Sequence, residues 1–353
     1  MLPPMPARVA LIAPFAFPSV RGNAVTVARI ARGLTSRGHT VRVWDLSRND
    51  GTTTEAEIEA FAPSLVHAFH AWRVGPFALR IARRAEIPLV LTLTGTDANH
   101  DLFEPERAAA VRRVLEGAAR IVVFHDSIGA KVASALPDLA SRIVCVPQAV
   151  DLPDDEAFDL QAAWPGLPSR RVLFVFPAGI RPVKRPLMPV PVFDALATRH
   201  PILRLLYAGP ILDANEGREL RAAIAGRAWA RYVGTVPHAQ MTSLLVQSDV
   251  VLNCSLSEGG MANSVLEAFA CGRAVLAADI EGNRSLVAHE VSGLLFRTES
   301  ELQAMAERLI LDAGLRGRLA AAGRAHVTAR FPREREIEGY LAVYGAVAPV
   351  ATR

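Results

Sequence analysis

Two glutamates, Glu258 and Glu267, flank a pair of glycines in the segment Asn253-Cys-Ser-Leu-Ser-Glu-Gly-Gly-Met-Ala-Asn-Ser-Val-Leu-Glu-Ala-Phe-Ala-Cys-Gly272. An apolar run ends at Asn253, a Ser-Glu-Gly-Gly loop follows, and a helical pattern then carries Glu267. Glycines ahead of a helix let backbone N–H groups approach a ligand closely. The helix N-terminus itself favours phosphate or another anion. The N–H groups of Gly259, Gly260, Met261 and Ala262 are the candidates to meet such an anion, and the two carboxylates can accept hydrogen bonds from hydroxyl-bearing rings. A tight turn with surface glutamates is the plainer alternative for so short a motif.

A second cluster is Ala178-Gly-Ile-Arg-Pro-Val-Lys-Arg185, directly after an apolar run. Arg181 offers a planar fork and Lys184 a point charge. Fixed cations there would stabilise negative charge growing on a leaving phosphate, whereas a solvated basic loop would need neither. A third cluster is His67 and His70, followed by Trp72 and Arg73. Two histidines at the end of an apolar run can touch a substrate, with satisfied structural groups as the alternative. The pair lacks a third ligand nearby, so no metal is expected. Asp97 ends Thr94-Gly-Thr-Asp97, where it can orient or deprotonate an acceptor or cap a helix. Gly22 and Asn23 follow the first apolar run and could form a loop that approaches a phosphate or acceptor. Asp154-Asp155-Glu156 has no strand before it and reads as a solvated acidic run.

These residues need a scaffold that delivers them together. The chain alternates short β-branched runs, a glycine or proline, and helical stretches, the rhythm of parallel α/β sheets. Strands are expected at 8–14, 40–45, 65–69, 89–93, 121–124 and 143–146, with a helix at 25–37. A stretch rich in Asp and Pro, 151–168, reads as an interdomain linker. A second series of strands follows at 172–177, 203–208, 232–234, 250–253, 274–278 and 294–296, and a helical tail runs from 299 to 350. Ligands bind beyond the carboxyl ends of strands in such sheets, and the clusters above sit just after strands.

With 353 residues, the chain has the length of two ordinary domains. Its 51% hydrophobic and 21% charged residues make a globular balance. No apolar run approaches the ~20 residues of a membrane span, and no basic region precedes the first apolar stretch, so no secretory signal is expected. The three cysteines, Cys145, Cys254 and Cys271, lack metal-ligand spacing and suit buried thiols in a reducing, cytoplasmic compartment. The net charge of +4 resides in residues 1–150, with 17 Lys and Arg against 13 Asp and Glu. It is too small for a nucleic-acid partner. Arg80, Arg83, Arg84, Arg112 and Arg113 are candidates for a weak membrane-facing patch, with solvated helix surface as the alternative.

Taken in order, these motifs resemble the family 4 retaining glycosyltransferases of GT-B fold. Ser-Glu-Gly, Leu-Glu-Ala, Ala-Cys-Gly, Ala-Val-Leu-Ala and Gly-Leu-Leu-Phe carry the resemblance in the second half. Gly22-Asn-Ala-Val-Thr-Val-Ala-Arg-Ile30, Gly38-His39, His67-Ala-Phe-His-Ala-Trp72 and Leu93-Thr-Gly-Thr-Asp97 carry it in the first. The Gly-Asn, His-Ala and Thr-Gly-Thr-Asp elements look like the branch of glycosyltransferase 1 domain-containing proteins and bacterial selenosugar synthases. The resemblance implies two Rossmann-like domains with parallel sheets facing a central cleft. The divisions would be 1–155 on the acceptor side, a linker at 156–170, a donor domain at 171–330, and a last helix at 331–353 crossing back.

It also implies a nucleotide-sugar co-substrate, UDP-linked, with no other cofactor. Arg181 and Lys184 would hold its diphosphate, Glu267 its nucleotide, and Glu258 and His70 the transferred sugar. A small molecule or glycan would be the acceptor. One departure stands out: the family separates its two glutamates by seven residues, and Glu258 and Glu267 are separated by eight. Transfer to an inorganic selenium or sulfur acceptor, epimerisation of a nucleotide sugar, and non-catalytic nucleotide-sugar binding remain alternatives. Oligomeric state is not legible.

Overall fold

The computed structural model describes residues 7–17, 19, 22–48, 51–150, 152, 156–258 and 260–347, with Gly51 described in its backbone only. The chain divides into two compact units, Met1–Ala149 with Phe331–Arg353, and Val150–Arg330.

The first unit is built on a six-stranded sheet of β1 (Arg8–Ala13), β2 (Thr40–Asp45), β3 (Leu65–Phe69), β4 (Leu89–Thr92), β5 (Arg120–Val123) and β6 (Ile143–Cys145). Its order is β2-β1-β3-β4-β5-β6 and every pairing is parallel. The second unit holds β7 (Val172–Pro177), β8 (Leu203–Ala208), β9 (Ala230–Tyr232), β10 (Val250–Asn253), β11 (Ala274–Ala278) and β12 (Leu294–Phe296). Its order is β12-β11-β10-β7-β8-β9, again wholly parallel. Strands buried on both faces need continuous apolar runs. Central strands such as β3, β4, β10 and β11 are buried at every residue.

In each sheet the chain works outward from its first strand and then returns to that strand's other side. The reversal falls between β1 and β3 in the first unit and between β7 and β10 in the second. Carboxyl-end loops diverge at such a switch point and leave room for a ligand.

Several expected boundaries shift. The strand expected at 232–234 is Ala230–Tyr232, because Gly234 takes a φ of 80° and leaves the extended region. Gly22 and Asn23, expected in a loop, form the first turn of the helix Gly22–Ser36. Residues expected as a linker are anchored to the second unit. Glu156 N–H donates to Ala239 O at 3.1 Å, and Phe158 N–H to Ser243 Oγ at 3.0 Å. A short helix, Leu160–Ala163, is capped by Asp159, and Leu160 and Trp164 are buried. Asp154 and Asp155 lie outside the described residues.

The tail forms three helices, Glu299–Leu311, Ala313–Arg330 and Arg333–Gly345. The last packs on the first unit's helix Gly22–Ser36. Ile337 fills the space over Gly33, where a Cβ would lie 2.2 Å from the Ile337 side chain. Beside it Arg29 and Glu336, both buried, form a two-pronged ion pair at 2.7 and 2.8 Å. No helix among the described residues is long and apolar enough to cross a membrane. Arg80 and Arg84 of the suggested basic patch are paired with Glu55, and Arg84 also with Glu59, which reduces its net charge.

Candidate active site

In the second unit the switch point gathers the loop after β7 and the loop after β10. Leu256 N–H donates to Val183 O at 2.8 Å and ties the two loops together. Lys184 Nζ donates to Glu258 Oε1 across this junction, and Lys184 and Glu258 are only 15% and 13% exposed. The same carboxylate oxygen accepts from Ser255 Oγ at 2.7 Å and Asn253 Nδ2 at 3.2 Å. Burial alone would raise the Glu258 pKa. The Lys184 charge and these hydrogen bonds outweigh it and hold the carboxyl below its ordinary value. Glu258 is therefore an anion at neutral pH.

Asn253 Nδ2 also lies 3.5 Å from Ser264 Oγ, in the first turn of the helix Asn263–Ala270. No side chain caps that helix, whose N-cap is Ala262, and the N-terminus of a helix favours an anion. Gly260, Met261 and Ala262 are buried at this end, and Gly259 lies outside the described residues. Val265, Leu266, Ala268 and Phe269 turn inward. That leaves Asn263 and Glu267, one turn apart, on the other face. Glu267 Oε1 lies 3.3 Å from His238 Nε2. Arg181 is exposed, immediately before the short 3-10 turn Pro182–Lys184.

In the first unit, His70 follows β3 at a φ of 99°, a region that a side chain normally avoids. Such strain persists only where the surroundings enforce it, and it concentrates at functional positions. Both ring nitrogens are engaged. Nδ1 accepts from Arg73 N–H at 3.2 Å, which puts the ring's N–H at Nε2, 2.8 Å from Thr96 Oγ1. His70 is thus the support of Thr96. His67 is fully buried between Tyr344 Oη and Thr92 Oγ1, each at 2.7 Å. Burial pushes its pKa down to about 3, so it is a neutral structural group.

Asp97 departs from an acceptor-facing role. Its carboxylate is fully buried and collects the N–H groups of Ala71, Thr94, Gly95 and Ala98 at 2.7–3.2 Å. It takes neither of the two uses expected of it: the N-cap of the following π-turn Asp97–Asp101 is Thr96, and Asp97 instead organises the backbone of the loop. Asn23 Nδ2 donates to Thr94 Oγ1 at 3.2 Å, so Asn23 braces the same loop.

Beyond the ends of β3 and β4 lies a cavity of about 530 Å³, lined by Trp72, Arg73, Thr96, His100, Asp101 and Arg107. Asp101 is almost wholly buried and accepts from Arg107 at 2.7 Å. Its other oxygen lies 3.8 Å from His70 Nε2. Asp101 and Arg107 escaped the sequence reading because, in sequence, they resemble ordinary charges around a helix start. His238 carried no signal either. Among the described residues no group of three or more His, Cys, Asp or Glu is placed to hold a metal ion. Cys254 and Cys271 are buried thiols, and Cys145 is half-buried.

Two doubly wound parallel sheets, each with polar loops at its switch point, define the chain as an α/β protein of the GT-B fold. Residues 170–311 match the model of the family described as glycosyl transferases group 1. The glycosyltransferase 1 domain-containing protein 1 of Xenopus tropicalis is 28% identical over 326 residues, covering 90% of this chain and 92% of that protein. The D-inositol 3-phosphate glycosyltransferase of Segniliparus rotundus is 31% identical over 318 residues, covering 83% of this chain and 69% of the relative. The crystal structure of Anabaena Alr3699/HepE in complex with UDP and glucose superposes with a TM-score of 0.77 at 18% identity, covering 96% and 100% of the two chains. The chain belongs to the group 1 glycosyl transferases and is a glycosyltransferase.

Proposed function

We propose that the enzyme takes a sugar from a UDP-linked donor and transfers it with retention of anomeric configuration, without a metal ion. The convergence of Lys184 and Glu258 at the β7/β10 switch point carries this reading. Arg181, Lys184 and the N-terminus of the helix Asn263–Ala270 receive the diphosphate and supply positive charge that a metal would otherwise provide. Glu267 accepts from ribose hydroxyls, and Glu258 from hydroxyls of the sugar. The UDP and UDP-glucose complexes of HepE support the choice of nucleotide.

In the transfer, the bond from the anomeric carbon to the diphosphate oxygen breaks and a bond to the acceptor oxygen forms on the same face. The acceptor proton passes to the departing diphosphate, so no carboxylate need become a covalent intermediate. The first unit supplies the acceptor side, with His70 acting through Thr96.

A thermal-shift series with UDP-, ADP-, GDP- and CMP-sugars tests the donor, because a ligand that binds only the folded state raises its apparent stability. UDP-sugars are expected to raise Tm with or without chelator. Stabilisation by another nucleotide alone, or an inverted product by NMR, would overturn the reading.

A further inference from the structure

Two buried amides stand behind Glu258. Asn253 is the last residue of β10, and Asn283 lies in the short helix Glu281–Arg284 that follows β11. The parallel pairing of β10 with β11 sets Asn253 level with Ala277 and so brings the two amides together. Asn283 Nδ2 donates to Asn253 Oδ1 at 3.3 Å and to Ala278 O at 2.9 Å. Asn253 Oδ1 also accepts from Ser255 N–H at 3.0 Å.

A carboxamide has a donor end and an acceptor end, so these bonds fix which way each group faces. Ala278 O can only accept, which sets the NH2 of Asn283. Ser255 N–H can only donate, which sets the oxygen of Asn253. The NH2 of Asn253 is thereby turned to Glu258 Oε1 at 3.2 Å, with Ser264 Oγ 3.5 Å away. Gly282, next to Asn283, packs on the same loop, where a Cβ would lie 2.6 Å from Glu258 Cβ. Asn283 Oδ1 is buried and finds no hydrogen-bond partner among the described residues. An unpaired buried acceptor is destabilising, so stability alone does not account for an amide at this position.

We propose that Asn253 and Asn283 are positioning residues for the donor sugar. The backbone orients Asn283 through Ala278 O, Asn283 and Ser255 N–H orient Asn253, and Asn253 holds the Glu258 carboxylate in the direction from which it accepts from the sugar. Both amides act through Glu258, so the proposal rests on the reading of that residue as a sugar ligand. Lys184 supplies charge at the carboxylate, and the amides supply direction.

Calorimetry on the whole chain with UDP, UDP-glucose and UDP-N-acetylglucosamine separates the sugar's share of the affinity from the nucleotide's. Asn283→Ala and Asn253→Ala should each weaken binding of the tighter UDP-sugar by about fivefold or more, the worth of one hydrogen bond. UDP affinity should stay near that of the wild type, which also shows that the variants fold. The acid limb of UDP-sugar binding gives a second readout. The bond from Asn253 and the Lys184 charge both favour ionised Glu258. Without that bond the carboxyl protonates more readily, and the limb should move to higher pH in Asn253→Ala. A purely structural role would lower affinity alike at every pH.

Equal losses of UDP and UDP-sugar binding would make the pair structural and overturn the proposal. UDP-sugar affinity untouched by both substitutions would overturn it too, while leaving the donor reading in place. A wild-type chain that binds neither UDP nor either UDP-sugar would remove the donor reading itself.

Discussion

Lys184 and Glu258, 74 residues apart in the chain, join the loop after β7 to the loop after β10 through a largely buried ion pair. A diphosphate held by Lys184 competes with Glu258 for that charge. Glu258→Gln should therefore tighten UDP binding by about fivefold, the equivalent of about 1 kcal/mol, while lowering turnover because the sugar loses an anionic acceptor. Lys184→Met should weaken UDP binding by about tenfold or more. Calorimetry and steady-state kinetics separate the two effects, and a Glu258→Gln variant with weaker UDP binding would count against the competition.

The same pair predicts a pH dependence of stability. The Glu258 carboxyl is held below its ordinary value near 4.5. Its contribution is thus fully present above that value and is lost as pH falls through the lower folded pKa. Lys184→Met should cost about 1–3 kcal/mol at pH 7, between the exposed and fully buried cases. The deficit should narrow below pH ~4 as the unfolded carboxyl and then the folded one take up protons. Denaturant melts at pH 7 and at about pH 3 measure it.

The architecture was readable because parallel strands are continuous apolar runs that stop at polar loops, as β7 does before Arg181 and β10 before Glu258. Lys184 and Glu258 were readable for the same reason. Asp97 was ambiguous because the short carboxylate that suits an acceptor also suits backbone N–H groups, and only the fold shows four of them converging on it. His238, Asp101 and Arg107 are brought into place by topology, and their local sequence is that of any helix start. In the stretch expected as a linker, Leu160 and Trp164 are apolar anchors in an otherwise polar run, and their burial was not legible against that background.

His67 should give the first unit a distinct acid sensitivity. Its ordinary pKa is 6.5, and burial lowers it to about 3. Between those values the unfolded chain binds a proton that the folded chain refuses, so stability falls as pH drops, by up to about 1.4 kcal/mol per unit. His67→Gln removes the titration and should flatten the slope of unfolding free energy between pH 6.5 and pH 4 by up to one proton. An unchanged slope would show that the ring is not held neutral there.

Arg29 and Glu336 test whether the helix Arg333–Gly345 is held by charge or by packing. Both side chains are buried, so Glu336→Gln takes the carboxylate charge away from the buried Arg29 guanidinium and should cost about 3–5 kcal/mol. Replacing both, as Arg29→Met with Glu336→Leu, removes the desolvation burden and should recover most of that loss. Denaturant melts of the two variants decide it. A double variant as unstable as the single one would mean that the pair contributes more than apolar packing at the same place.

Gly282 was invisible in the sequence, yet the donor-side loop depends on it. A Cβ there would lie 2.6 Å from both Glu258 Cβ and Gly260 O, and 3.2 Å from Glu258 O. Most of that obstruction is backbone, which cannot rotate aside as a flexible side chain can. Gly282→Ala must therefore displace the loop carrying Glu258. The expected cost is about 1–3 kcal/mol, as for other overpacked sites, with UDP affinity reduced by tenfold or more. Gly317 is the control. It lies inside the helix Ala313–Arg330, where an added Cβ meets nothing within 4 Å. Gly317→Ala should stabilise the chain by about 0.5–1 kcal/mol through helix propensity and leave UDP binding alone. Thermal melts with UDP calorimetry on both variants distinguish a close approach specific to the donor loop from a general sensitivity to alanine. Equal effects at 282 and 317 would remove Gly282 from the account of the site.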